Sequence, residues 1–197
     1  MSLLFWTACF AIAPPPGEVE SGPKVDEKVA ALDVFAVVGD VEDKRIDVAK
    51  GQKDRPTIYV FVNAEKWDRQ LARFLRKLDE EVAGAKKRST VVAVWISPDV
   101  EKSKEYLPIA QQSLKFEHTA LCVAAEPIVS PPGWEINAEA AATIVVAYDG
   151  VVQASFGYSS ANETDVKKVV AAWKKADAKK APETKKPTAE KPSAPSR

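Results

Sequence analysis

Two runs of apolar residues on either side of an amphipathic helix place the strongest constraint on the fold of this chain. Residues 57–62 and Val91–Ile96 are almost entirely β-branched, aromatic or otherwise apolar, which is typical of strands buried on both faces. Between them, over 65–82, apolar residues recur every three or four positions and predict a helix with one apolar stripe. Because two such strands joined by a helix pair in parallel, the sequence predicts an α/β domain.

Further patterns extend this unit toward the N-terminus and past the second strand. Strand patterns at 34–38 and 45–48 flank an acidic turn and predict an N-terminal β-hairpin. After the second buried strand, Ser97 is expected to cap a helix that runs to Leu114 and is kinked by Pro108.

The C-terminal half adds antiparallel structure. Thr119–Ala124 is expected to be a third buried strand. Asp149-Gly150 separates two apolar runs, 143–148 and 151–156, which predicts a tight antiparallel hairpin. A final helix is expected over 162–173. The predicted architecture is therefore a mixed central sheet with a hairpin at each end and helices on both faces.

Composition divides the chain into four parts. The apolar segment 1–13 ends in an A-x-A sequence and is expected to be a signal peptide, although no basic residue precedes its apolar run. Residues 14–29 are expected to be a linker, and 30–176 the folded domain. The segment 177–197 lacks large apolar residues and is expected to be a disordered tail rich in Lys, Pro and Ala. The sequence thus predicts export to the periplasm or cell envelope, with no membrane span after cleavage.

The charges indicate what kind of partner the chain is suited to. Its 28 basic and 28 acidic residues cancel, which argues against a dedicated nucleic-acid binder. The tail carries more basic than acidic residues, so it could contact an anionic envelope surface, but a soluble spacer is favoured because no long block of like charge occurs. The expected partner is an unknown protein or envelope component.

Cysteine and histidine content limits the chemistry of the mature chain. Cys9 lies in the apolar N-terminus, which would leave Cys122 as a lone thiol, so neither an intrachain disulfide nor a Cys-rich zinc site is expected. Cys122 is interpreted as a buried small residue of a strand, and His118 as an ordinary residue at the end of that strand. The acidic residues at positions 40, 42 and 43 (Asp40, Glu42 and Asp43) lack the spacing of a calcium loop. No metal and no cofactor is expected.

The order of these elements resembles the redoxin branch of the thioredoxin superfamily, over about residues 30–176. The opening hairpin and the 57–62 strand resemble the start of a redoxin domain, and 143–152 resembles its final hairpin. In more detail, the chain is similar to exported thioredoxin-like proteins of planctomycete-type bacteria. The resemblance implies a three-layer thioredoxin-like sandwich.

The resemblance also implies where the family's chemistry would lie. A thioredoxin has C-x-x-C at the start of its first long helix, where the helix N-terminus stabilises a thiolate. No cysteine occurs between Cys9 and Cys122, so both this pair and a peroxidatic cysteine are absent from that region. The family's cis-proline before the last hairpin is missing as well. The degenerate active-site positions are Ala64, Glu65, Lys66, Trp67, Ala142 and Thr143.

Three functional hypotheses follow from this pattern. The first is an exported, noncatalytic binding or scaffold module. The second is a divergent redoxin that uses Cys122 or the thiol of a partner. The third is an adaptor that the tail directs to the envelope. Among the tryptophans, Trp67, Trp95 and Trp173 are expected in the core, whereas Trp134, in a Pro-rich loop, is the best candidate for an exposed contact.

Overall fold

The computed structural model describes residues 17–38, 44–52, 55–83, 91–126 and 129–178. The strands are β1 (Glu18–Val19), β2 (Asp33–Val38), β3 (Arg45–Asp47), β4 (Thr57–Asn63), β5 (Val91–Ile96), β6 (Thr119–Ala124), β7 (Ala142–Tyr148) and β8 (Val151–Tyr158). The helices are α1 (Val48–Gly51), α2 (Arg69–Val82), α3 (Val100–Leu114) and α4 (Val166–Ala178), and a 3₁₀ turn spans Ala64–Lys66.

The eight strands form one mixed sheet in the order β1-β8-β7-β4-β5-β6-β2-β3. Strands β4, β5 and β6 are parallel, and the remaining neighbours pair antiparallel. The predicted hairpins are β2-β3 and β7-β8. Asp149 and Gly150 both have positive φ, 53° and 69°, as the turn of a two-residue hairpin requires. The predicted mixed α/β architecture is thus confirmed.

All three long helices begin later than the sequence pattern predicts, and α4 spans Val166–Ala178 rather than 162–173. The late starts of α2 and α3 share one cause. Over 65–82, the chain first forms the 3₁₀ turn and then an extended step at Trp67, and α2 starts only after Asp68, whose Oδ1 accepts from Leu71 N at 2.8 Å. Likewise Asp99, and not Ser97, caps α3 by accepting from Lys102 N at 3.0 Å. In both places an aspartate that can cap a helix lies a few residues beyond the predicted start, and its carboxylate fixes the first turn.

The three long helices cover the same face of the sheet. The steps from β4 to β5 and from β5 to β6 run in one direction across the sheet, so right-handed crossovers put α2 and α3 on one side. The apolar stripe of α2 joins residues from α3 and α4 in a single core with the inner residues of β4 and β5. Phe74 at the centre of that stripe is fully buried.

The opposite face is covered differently, by α1 and by irregular segments. The described part of the connection from β6 to β7 contains no helix, and it lies against this face together with residues 29–32. Trp134 anchors the connection: its ring lies 5.1 Å from that of Tyr59 and 4.8 Å from that of Phe61, and its Nε1 donates to Ala31 O at 3.1 Å. Trp134, the best candidate for an exposed contact, is therefore not one: it is fully buried, because its ring packs on Tyr59 and Phe61. Trp67, Trp95 and Trp173 pack against the core as predicted, although Trp67 is only partly buried.

The segment expected as a linker takes part in the sheet where the structure describes it. Glu18 and Val19 pair with Tyr158 and Gly157, and Lys28 forms an isolated bridge with Val151. Main-chain hydrogen bonds attach this segment to β8. Its composition does not reveal them, because main-chain pairing does not depend on apolar side chains. The expected signal peptide, the acidic turn with Asp40, Glu42 and Asp43, and the tail from 179 onward lie outside the described residues.

Candidate functional site

A cleft of about 420 Å³ opens at the carboxyl ends of β4 and β5. One side is formed by the 3₁₀ turn with Glu65 and Lys66, and the other by the loop that leads into β7. Phe61 and Ile96 form its apolar floor, and Thr143 lies at its inner end. Its volume is in the range of about 300–1,000 Å³ that is typical of ligand sites. Three of the six predicted degenerate positions, Glu65, Lys66 and Thr143, thus meet in one cleft.

Lys66 joins the two sides of the cleft. Its Nζ donates to Ala138 O and to Glu139 O at 2.9 Å each, and lies 3.8 Å from the Glu139 carboxylate. The turn that carries Lys66 is itself fixed by Asn63, whose Oδ1 accepts from Glu65 N at 3.0 Å. A primary ammonium bound to main-chain carbonyls is therefore found at one of the positions that the sequence predicts to be degenerate.

The other three predicted positions have structural contacts and do not line the cleft. Trp67 points away from the cleft: its ring lies 5.0 Å from that of Trp95, and its Nε1 donates to Tyr106 Oη at 2.8 Å. Ala64 packs against the helix-covered core, and Ala142 pairs with Val62 in the sheet. The described residues contain no cis peptide bond.

Thr143 connects the cleft to the N-terminal segment. Its hydroxyl lies 2.6 Å from Ser21 Oγ, which in turn accepts from Asn137 N at 2.9 Å. These contacts tie residues near β1 to the loop that forms the cleft wall. No local pattern in the sequence indicates this contact, because Ser21 lies more than a hundred residues away from both partners.

Cys122 is placed in the core, as predicted. It is 1% exposed, and in the sheet it lies between Val94 of β5 and Ala36 of β2. Burial in this apolar setting raises the pKa of the thiol from 9.0 to about 12. Because the thiolate is the reactive form, the folded state suppresses the nucleophilicity of this cysteine.

A buried carboxylate lies next to His118 and was missed in the sequence. Asp79 of α2 is 5% exposed and accepts from Glu117 N (3.0 Å), His118 N (2.9 Å) and Thr119 Oγ1 (2.6 Å). The sequence did contain a sign that Asp79 is buried, because it lies four residues after Leu75 and therefore on the apolar stripe of α2. Its role is to fix the entry into β6. Among the described residues, no group of three His, Cys, Asp or Glu side chains is arranged to hold a metal ion.

Within the described residues, no helix is long and apolar enough to cross a membrane.

No protein-family model and no curated protein matches the chain. Solved structures do match. A DsbF homologue from Corynebacterium diphtheriae is 15% identical, with a TM-score of 0.56 over 84% of this chain and 99% of that one. Peroxidoxin BcpB from Mycobacterium tuberculosis is 16% identical, with a TM-score of 0.55 over 78% of this chain and 97% of that one. A secreted thiol-disulfide isomerase from Corynebacterium glutamicum is 13% identical, with a TM-score of 0.56 over 84% and 98%. The chain therefore has a thioredoxin-like fold.

Proposed function

We propose that this protein is a noncatalytic binding module built on a thioredoxin-like fold. The observation that carries the proposal is the chemistry at the start of the first long helix, where Ala64-Glu65-Lys66-Trp67 provides no thiol. The lysine of this segment is engaged by main-chain carbonyls, and a cleft of ligand-binding size lies beside it. A fold that keeps the cleft without the cysteines is suited to binding rather than to disulfide exchange.

The burial of Cys122 argues against the catalytic alternative. A redoxin that worked through this residue would need an accessible thiolate, and the protein surrounds the thiol with apolar side chains and raises its pKa. A tail-directed adaptor remains a separate proposal, since the tail lies outside the described residues.

We further propose that binding takes place in the periplasm or cell envelope. The apolar segment 1–13 with its A-x-A end supports export. One of the similar structures, the thiol-disulfide isomerase from Corynebacterium glutamicum, is also that of a secreted protein. N-terminal sequencing of the protein from an envelope fraction should find a mature chain that begins near Pro14. An intact Met1 in the cytosol would overturn this part of the proposal.

Two measurements test the binding function itself. The purified protein should show no insulin reduction and no peroxide turnover with a dithiol donor, and activity that is lost in Cys122→Ala would refute the proposal. In addition, a photoactivatable cross-linking residue at exposed Ala138, on the cleft wall, should capture a specific partner in the envelope. The same residue at Arg76, on the exposed side of α2, is the matched control and should not.

A further inference from the structure

Most main-chain groups of one cleft wall, the loop 137–141, are already hydrogen-bonded within the protein. The donors are the N–H groups of Glu139, Ala140 and Ala141, and the acceptors are the carbonyl oxygens of Ala138, Glu139 and Ala141. Their partners are Asn137, Tyr158, Lys66 and Asn63. An extended peptide that added to this loop as a strand would need free main-chain groups. The wall therefore disfavours recognition through a ligand's backbone.

Most polar side chains at the rim are engaged in the same way. Ser97 Oγ donates to Asp99 O at 2.9 Å and accepts from Asp99 N at 3.1 Å. Lys66 is held by two carbonyls, as described above. Glu65 differs: it is exposed, and no hydrogen bond or ion pair holds its carboxylate within the described part of the chain. The carboxylate of Glu139 is 83% exposed but lies 3.8 Å from Lys66 Nζ, with which it forms an ion pair. Among these rim groups, the carboxylate of Glu65 is therefore the one that is free to meet a cation.

The floor offers apolar contact instead of hydrogen bonds. Phe61 and Ile96 form its base, and Ile136 and Val129 extend it along the connection from β6. Val129 is 63% exposed and so offers apolar surface to a ligand at the edge of the cleft. Phe61 and Ile96 are already only 1% and 8% exposed, so a bulky apolar group in the cleft would gain van der Waals contact with them. The apolar surface that it would remove from water belongs mainly to Ile136 and Val129.

From these observations we propose that the cleft recognises a segment of a partner protein that presents a bulky apolar side chain next to a lysine or arginine. The inference rests on the proposed binding function of the same cleft and adds its ligand chemistry. The apolar side chain occupies the space above Phe61 and Ile96, and the basic residue lies near Glu65. The backbone of the segment makes no strand-like pairing with the loop 137–141.

The probe for this proposal is N-acetyl-Trp-Lys-amide, titrated into the isotope-labelled full chain and followed by NMR. Chemical-shift changes should concentrate at the amides of Phe61, Ile96 and Ile136. Affinity should be about two- to five-fold higher than for N-acetyl-Trp-Glu-amide, as expected for an exposed ion pair. N-acetyl-Gly-Lys-amide should not bind measurably. Glu65→Gln should abolish the preference for the basic probe, whereas Glu105→Gln, an exposed residue of α3, should keep it.

Equal affinity for the two tryptophan probes, shifts centred outside the cleft, or equally strong binding of the glycine probe would overturn the proposal. The cross-linking experiment at Ala138 separates this inference from the proposed function. If Ala138 captures a specific partner and the Trp-Lys probe does not bind, the ligand chemistry is wrong and the binding function stands. If neither the cross-link nor the probe engages the cleft, both proposals fail.

Discussion

Removal of the Asp79 carboxylate should destabilise the domain far more than removal of a neighbouring acidic residue. In Asp79→Ala, the buried hydroxyl of Thr119 loses its acceptor, and a donor left unpaired in this way costs about 1–3 kcal/mol. The N–H groups of Glu117 and His118 are only partly buried, so each loss costs about 0.5–1.5 kcal/mol. We therefore expect the free energy of unfolding to fall by about 2–6 kcal/mol, a large share of the roughly 5–15 kcal/mol typical of a domain.

Two further variants make the Asp79 measurement specific. Asp79→Asn keeps the shape and the acceptor for His118 and Thr119, but its amide group faces the N–H of Glu117, so we expect an intermediate loss of about 1–3 kcal/mol. Glu80→Ala removes an exposed carboxylate that pairs only with surface cations, and it should cost less than about 1 kcal/mol. Urea unfolding followed by tryptophan fluorescence gives all three values. A loss in Asp79→Ala no larger than in Glu80→Ala would refute the assigned role.

Two other predictions concern the N-terminal strand and the buried thiol. A Cβ at Gly157 would lie 2.3 Å from Val19 O, so Gly157→Ala should displace β1, cost about 1–3 kcal/mol and expose residues near 18–25 to proteolysis. Gly51→Ala, with no atom within 4 Å, is the control, and equal protease resistance of the two variants would contradict the prediction. For Cys122, the unfolded thiol ionises above its ordinary pKa of 9.0, while the folded thiol stays protonated to about 12. The stabilisation is present below pH 9 and is lost as the pH rises, by about 1.4 kcal/mol per pH unit. Denaturant melts across about pH 9–10 should therefore decline less steeply for Cys122→Ala, and equal slopes would contradict the raised pKa.

Local patterns in the sequence were sufficient to predict the centre of the sheet. The β4 and β5 strands, the stripe around Phe74 and the Asp149-Gly150 turn each depend on residues close together in the chain, so their structure could be predicted. The degenerate site near Glu65 and Lys66 was inferred from the expected start of the helix, and it stays a prediction.

The contacts that complete the cleft could not be predicted, because they join distant residues. Trp134 was only the best candidate for an exposed contact, and its burial could not be predicted, since a Pro-rich loop has no periodicity to show that it covers a sheet face. No pattern around Lys66 indicates that its ammonium group donates to carbonyl oxygens more than seventy positions away in the chain. Asp79 could have been found as a carboxylate on an apolar stripe, but its partners lie in β6 and in the two residues before it, about forty positions along the chain.

The place of the N-terminal strands has a consequence for how the chain folds. β1 lies at one edge of the sheet and the β2-β3 hairpin at the other, so the earliest described segments close both edges. β1 pairs with β8, with Glu18 opposite Tyr158. β2 pairs with β6, so neither pairing can form before the later strand has been synthesised. Pairings of such long sequence separation slow folding, because loop-closure entropy is lost before the contacts form. A chain emerging from a ribosome or a translocon therefore keeps open strand edges, able to pair with other chains, until residues near 158 are available.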